Sequence, residues 1–174
     1  KVETLRRIDT ACKGRAWVMS NTSSMPIGHL GGSAGLDGRI IGFHFYNPPA
    51  VQRLVELIPA TTTQPQLVGL ASQLIQRLGK TEVRSADVAG FVGNGFFVRD
   101  ALQTLAMTER LAMQRPLHEA VYMLDCMTRD ALLRPMGTFQ VIDYVGLDVF
   151  YAITQTMGAH IDGEQFAVPL IERM

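Results

Sequence analysis

Over the first twelve residues the apolar positions Val2, Leu5, Ile8 and Cys12 recur at helical spacing, and Gly14 breaks the run before a short apolar stretch from Ala16 to Met19. The pattern predicts helix, turn and strand. Arg39 to Phe45 is apolar and rich in strand-forming residues, Asn47-Pro48-Pro49 stops it, and Arg53 to Pro59 forms a second short strand. From Pro65 onward, Leu67, Leu70, Ala71, Leu74, Ile75 and Leu78 follow a helical stripe, with Pro65 suited to the first helical position and Gly79 to the C-terminal cap. Lys80 to Ser85 reads as a further strand. After Asp87 the pattern changes: Val98, Ala101, Leu102, Leu105 and Ala106, then Leu117, Ala120, Val121 and Leu124, keep the helical period with no strand-like alternation between them. Mixed α/β followed by helices alone predicts two folding units, with the boundary near Asp87 to Gly95.

Composition narrows the function classes. With 16 Lys+Arg against 16 Asp+Glu and no basic stripe, the chain lacks the field that phosphate-backbone binding requires, so nucleic acid is not an expected partner. No apolar run reaches the ~18 to 20 residues of a membrane helix, and Lys1 to Asp9 is a charged helical pattern instead of a signal peptide, so a cytoplasmic protein is expected. Cys12 and Cys126 stand far apart and form no Cys-x-x-Cys pair, which points to buried, reduced thiols. Cys12, Cys126, His29, His118 and His160 show no metal-ligand spacing, and the methionines between Met107 and Met136 read as core filler. The chain starts at Lys1, already inside a helical pattern and without a methionine, so it is expected to be the remainder of a longer polypeptide.

Candidate chemistry lies in four places. Alternation along Ile40 to Phe45 puts Ile40, Gly42 and His44 on one face of the strand and Ile41, Phe43 and Phe45 on the other. His44 then ends a buried strand, where a lone histidine is more often a satisfied core residue than a catalyst. Glu56 is the one charge within Leu54-Val55-Glu56-Leu57-Ile58, and a buried carboxylate costs several kcal/mol unless it is paired or hydrogen-bonded. If the Asn47 to Val51 turn lets the second strand run beside the first, Glu56 reaches His44, orients its ring and stabilises an imidazolium. Ser20-Asn21-Thr22-Ser23-Ser24 follows the strand ending at Met19, at the carboxyl end where open α/β sheets bind ligands, although a polar turn or helix cap has the same composition. The stretch Gly28 to Gly35 lacks both a P-loop lysine and Gly-x-Gly-x-x-Gly spacing and is expected to be a flexible loop, and Gly90-Phe91-Val92-Gly93-Asn94-Gly95 reads as a hinge.

Taken in order along the chain, these segments resemble the 3-hydroxyacyl-CoA dehydrogenases. The resemblance rests on Ser20-Asn21-Thr22-Ser23-Ser24, on Gly42-Phe43-His44-Phe45-Tyr46-Asn47-Pro48-Pro49, on Leu54-Val55-Glu56-Leu57-Ile58 and on Gly90-Phe91-Val92-Gly93-Asn94. It extends to Pro135-Met136-Gly137-Thr138-Phe139 with Asp143, Gly146, Leu147 and Asp148, and so spans essentially the whole chain. It implies a fold that is α/β followed by all-α. Residues 1–88 would be the later portion of a Rossmann-type NAD-binding domain, and residues 89–174 a helical dimerisation domain. It implies NAD as cofactor, an acyl-CoA substrate, a homodimer formed through the helical domain, and oxidation of (3S)-3-hydroxyacyl-CoA to 3-oxoacyl-CoA in fatty-acid β-oxidation. By the same matching His44 is the general base and Glu56 its charge-balancing partner. Ser23 would hydrogen-bond the reacting oxygen, Asn94 would position acyl-CoA and His44, and Lys1, Asn21, Ser23 and Asn47 would lie near the cofactor. No metal is implied.

The chain also departs from the family pattern. The Gly-x-Gly-x-x-Gly turn that grips the nucleotide pyrophosphate is missing, and rebuilding the missing half would take at least two βαβ units, roughly 60 residues or more at about 30 each. Alone, the chain is expected to bind NAD poorly. Gly95 stands where many relatives have arginine and Arg134 where an aromatic often precedes Pro-Met-Gly, positions that bear on CoA contacts and chain length. Two rival readings follow. One is a non-catalytic dimerisation or acyl-CoA-binding module of the same fold, against which the joint presence of Ser23, His44, Glu56 and Asn94 speaks. The other is a two-domain hydroxyacid dehydrogenase that relies on a lysine in place of the His44 and Glu56 pair.

Overall fold

The computed structural model describes residues Lys1 to Arg173, and the chain divides into two compact units, Lys1–Val92 and Gly93–Met174. The first contains α1 (Val2–Ala11), β1 (Val18–Ser20), α2 (Ile27–Ala34), β2 (Ile40–Phe45), β3 (Leu54–Ile58), α3 (Pro65–Arg77) and β4 (Thr81–Arg84). The strands form one sheet in the order β1-β2-β3-β4, in which β1 and β2 are parallel, β2 and β3 antiparallel, and β3 and β4 parallel. This is a Rossmann-like α/β arrangement followed by an all-helical unit.

Strand alternation sorts the core into two layers, as the sequence pattern of β2 predicts. Ile40 and Ile58 pack with Leu5, Ile27, Leu30, Leu36 and Phe91 on one face. On the other, Ile41, Phe43, Val55 and Leu57 pack with Leu67, Ala71 and Ile75 of α3. Pro65 occupies the first turn of α3, and only its Leu67, Ala71 and Ile75 edge is buried. Leu70, Leu74 and Leu78 of the predicted stripe are exposed.

The segment Gly28 to Gly35 is not a flexible loop. It is most of helix α2, and Gly31 is there for close approach. A Cβ on Gly31 would sit 2.8 Å from Ile40 Cγ2, so a larger residue would push the helix off the sheet. Each helical glycine costs roughly 1 kcal/mol in backbone entropy. Burial of Ile27 and Leu30, both fully inaccessible, opposes that cost. The N-terminus of α2 has no side-chain cap of its own. Instead the Asp87 carboxylate accepts the amides of Ile27 at 2.5 Å and Gly28 at 2.7 Å, satisfying two donors that would otherwise be orphaned.

The second unit is built from α4 (Gly93–Ala112), α5 (Leu117–Asp130), α6 (Thr138–Val145), α7 (Leu147–His160) and α8 (Pro169–Glu172) around Val98, Ala101, Leu105, Leu124, Ile142, Phe150, Met157 and Leu170. Buried Asp125 of α5 receives the amides of Phe139 and Gln140, and Thr128 Oγ1 receives that of Thr138, so α5 caps the start of α6. Two expectations fail here. Met123 and Met127 of α5, and Met113 in the turn after α4, are exposed, not core filler. Cys12 is exposed and Cys126 only half-buried, and both are free thiols. No helix among the described residues is long and apolar enough to cross a membrane.

The bridging role of Asp87 has a measurable consequence. Asp87→Ala should lower unfolding stability by about 1–2 kcal/mol in denaturant titration, since two helix-terminal amides lose their acceptor inside the first unit. An unchanged midpoint would show that water replaces the carboxylate at no cost.

Candidate active site

The antiparallel register of β2 and β3 sets His44 directly opposite Glu56. Residues paired in this way project to the same face, and here the His44 Nδ1 lies 2.6 Å from Glu56 Oε2. Glu56 has no exposed surface at all, and His44 retains only 6%. A carboxylate in that position must be satisfied on both oxygens. The second oxygen, Oε1, accepts the Val92 amide at 2.8 Å. That amide is aimed by an unusual backbone: Gly90 has φ +82° and Phe91, which is not glycine, has φ +50°. The buried Phe91 ring lies 6.0 Å from the imidazole and closes this side of the pair.

With Nδ1–H donated to the carboxylate, the neutral ring carries its lone pair on Nε2. Protonation of Nε2 would create an imidazolium beside a buried anion, which stabilises it. The pair can therefore take up and return a proton. Tyr46 lies next to it, with its ring centroid 5.3 Å from that of His44. Burial and the nearby Glu56 charge hold the Tyr46 phenol well above its usual range, so it stays protonated.

A polar loop shares this end of the sheet. Because β1 and β2 are parallel, Ser20 to Ser24 leaves the carboxyl end of β1 where β2 delivers His44 and Phe45. Asn21 Oδ1 accepts the Phe45 amide at 2.8 Å and ties the loop to β2. Thr22 is buried, and its hydroxyl takes the Lys1 ammonium at 3.2 Å and the Met25 amide at 3.4 Å. Ser23 is half-buried in the same loop, and Asn47 is exposed in the turn that follows β2. Thus His44 and Glu56 are in direct contact, Asn21 is bound to the end of their strand, and Lys1 is held by Ser23's neighbour. Asn94 belongs to α4 of the second unit.

Several participants left little trace in the sequence. The Val92 donor is backbone and has no residue signature beyond the preceding Gly90. Thr22 looks like any hydroxyl of a polar loop, and Tyr46 could be told from phenylalanine only by its hydroxyl.

The cluster fits one end of a dinucleotide. Polar groups gather at the carboxyl ends of two parallel strands, the usual position of a nucleotide in such sheets. The glycine-rich stretch does not fit the pyrophosphate, because the first amides of α2 are taken by Asp87.

Comparison with known proteins agrees with this division. Residues 1–88 match the 3-hydroxyacyl-CoA dehydrogenase NAD binding domain, and residues 90–174 match the 3-hydroxyacyl-CoA dehydrogenase C-terminal domain. The chain belongs to the 3-hydroxyacyl-CoA dehydrogenase family, and its first unit to that family's NAD binding domain. Among solved structures it is similar to FadB2 of M. tuberculosis, with 29% sequence identity, a TM-score of 0.84, and coverage of 100% of this chain and 61% of that one. It is also similar to (S)-3-hydroxybutyryl-CoA dehydrogenase PaaH1 from Ralstonia eutropha, with 25% identity, a TM-score of 0.83, and coverage of 99% of this chain and 59% of that one. The chain therefore spans about three fifths of the length of these relatives.

The bond from Phe45 to Asn21 should be visible in exchange. Asn21→Ala leaves the Phe45 amide without its acceptor, so that amide should exchange with deuterium roughly five- to tenfold faster, the equivalent of about 1 kcal/mol. Unaltered protection would mean that the loop is held elsewhere.

Proposed function

We propose that the chain is the catalytic part of an NAD-dependent dehydrogenase that oxidises (3S)-3-hydroxyacyl-CoA to 3-oxoacyl-CoA, as in fatty-acid β-oxidation. The observation that carries this reading is the buried His44 and Glu56 pair at the carboxyl end of β2. NAD, when bound, supplies the acceptor for the hydride that leaves C3 of the substrate. His44 Nε2 takes the 3-hydroxyl proton in the same reaction and returns it when the reaction runs backward. Glu56 keeps the ring in the tautomer that exposes Nε2 and offsets the charge that the proton brings.

Ser23, in the loop tied to β2 by Asn21, donates a hydrogen bond to the reacting oxygen. Lys1, Asn21, Ser23 and Asn47 form the protein side of the cofactor's nicotinamide end, and Asn94 positions the acyl-CoA and His44. In this reading residues 1–88 are the cofactor-binding portion and residues 89–174 the helical portion. The latter also makes a homodimer. An open groove of about 700 Å³ between α4 and α5, lined by Met107, Leu111, Met123 and Met127, supports that role by leaving apolar surface uncovered. A cytoplasmic setting belongs to the same reading, and free Cys12 and Cys126 are compatible with it.

The test is His44→Gln in the full-length enzyme, assayed with (3S)-3-hydroxybutyryl-CoA and NAD. Loss of a general base should lower kcat roughly a thousandfold, with the fold and NAD binding retained. Turnover equal to that of the parent would remove His44 as the base. Glu56→Gln should lower kcat in the same direction by a smaller factor, because it keeps a hydrogen-bond acceptor for Nδ1 but no charge.

A further inference from the structure

Two hydrogen bonds anchor the Ser20 to Ser24 loop on either side of Ser23. On one side Asn21 Oδ1 accepts the Phe45 amide at 2.8 Å, which fixes the loop to the strand that carries His44. On the other, the Ser24 carbonyl accepts the Gly90 amide at 3.0 Å. Gly90 begins a three-residue run whose last member, Val92, donates its amide to Glu56 Oε1 at 2.8 Å. Two residues of chain span at most about 7 Å even when fully extended. A single short piece of backbone therefore bridges the loop that carries Ser23 and the carboxylate behind His44.

The bridge has a fixed course. Gly90 and Phe91 hold φ of +82° and +50°, and the Phe91 amide donates back to the Val88 carbonyl at 2.9 Å. Gly90 is buried, and at its φ a residue with a Cβ is strained, so such a residue would relax toward negative φ and redirect the chain beyond it. Phe91 is held in the same left-handed region by its buried ring, which lies 6.0 Å from the imidazole. The Val92 side chain is exposed, so what this position contributes to the pair is its amide.

We propose that Gly90 is a positioning residue that sets the separation between the Ser23 loop and the His44 and Glu56 pair. The inference rests on the dehydrogenase reading of these residues and deepens it. In that reading the 3-hydroxyl oxygen of the substrate meets the Ser23 hydroxyl and gives its proton to His44 Nε2. One oxygen can meet both groups only when their spacing is right, and a misplacement of about 1 Å can cost roughly a hundredfold in rate. Gly90 acts through the Ser24 carbonyl on one side and, two residues on, through the Val92 amide on the other.

The decisive variant is Gly90→Ala in the full-length enzyme, with rates referred to the folded fraction. For oxidation of (3S)-3-hydroxybutyryl-CoA, kcat should fall roughly 10- to 100-fold, while KM for that substrate and for NAD changes by less than about twofold. In a Ser23→Ala background the same substitution should cost no more than about threefold, because the spacing ceases to matter once one of the two groups is gone. Equal cost in both backgrounds would overturn the proposal. NMR supplies a second readout: the Ser23 amide and His44 Nδ1 proton resonances should both move in Gly90→Ala. A merely structural role would lower thermal stability and leave both resonances of the folded protein in place. Should Gly90→Ala fail to fold, α-hydroxyvaline at position 92 removes the donated N–H and leaves every side chain as it is. Both resonances should move in that protein too, and movement of the His44 signal alone would show that the segment serves Glu56 without holding the loop, which also overturns the proposal. The resonances are read without turnover. An enzyme inactive toward 3-hydroxyacyl-CoA would therefore defeat the dehydrogenase reading, while the bridge is decided by its own signals.

Discussion

The hydrogen bond between His44 and Glu56 depends on strand register. Had β3 slipped by one residue along β2, Glu56 would have turned to the α3 face, among Ile41, Phe43 and Leu67, with no polar group opposite it. In the observed register the carboxylate lies across from the imidazole and within reach of the Val92 amide. A single pairing choice thus converts an expensive buried charge into a proton-handling pair. The same requirement extends outward, since Gly90 and Phe91 adopt left-handed backbone conformations in the segment that delivers the Val92 donor.

Helix ends in both units are satisfied from a distance. Asp87 serves the start of α2 from beyond β4, and Asp125 serves the start of α6 from within α5. In each case glycine accompanies the carboxylate: Gly28 approaches Asp87, and a Cβ on Gly137 would collide with Asp125. These long-range caps join segments that are remote in the chain, and in the first unit they commit the glycine-rich stretch to a helix. That commitment explains why these glycines do not grip a phosphate: the amides that would do so already hold a carboxylate.

The family reading and the geometry support each other at specific residues. Of the residues singled out on the chain by motif, His44 bonds Glu56 directly, and Asn21 accepts the amide of the neighbouring Phe45. The Val92 amide holds the second Glu56 oxygen, although it was no candidate from the sequence. Phe45 lies between the two groups: its amide fixes the loop through Asn21 and its ring packs on Phe43 at 5.2 Å on the opposite face.

What the sequence determined alone was periodic and local. Alternation in Ile40 to Phe45, the helical stripe after Pro65, the loss of strand pattern after Asp87 and the lone charge of Glu56 all follow from which residues are adjacent, and each was legible without coordinates. The motifs around His44 and Gly90 added the family. What only the tertiary structure decided was partnership. A glycine-rich stretch reads as a loop until a sheet lies close enough to need its missing side chains, and methionines read as core until their helices show which sides face outward. The donors on Glu56 come from positions 12 and 36 residues away, and the acceptor for α2 from 59 and 60 residues away. Periodicity encodes which face of an element is apolar, but a buried polar atom finds its partner by chain closure over distances that no local pattern records.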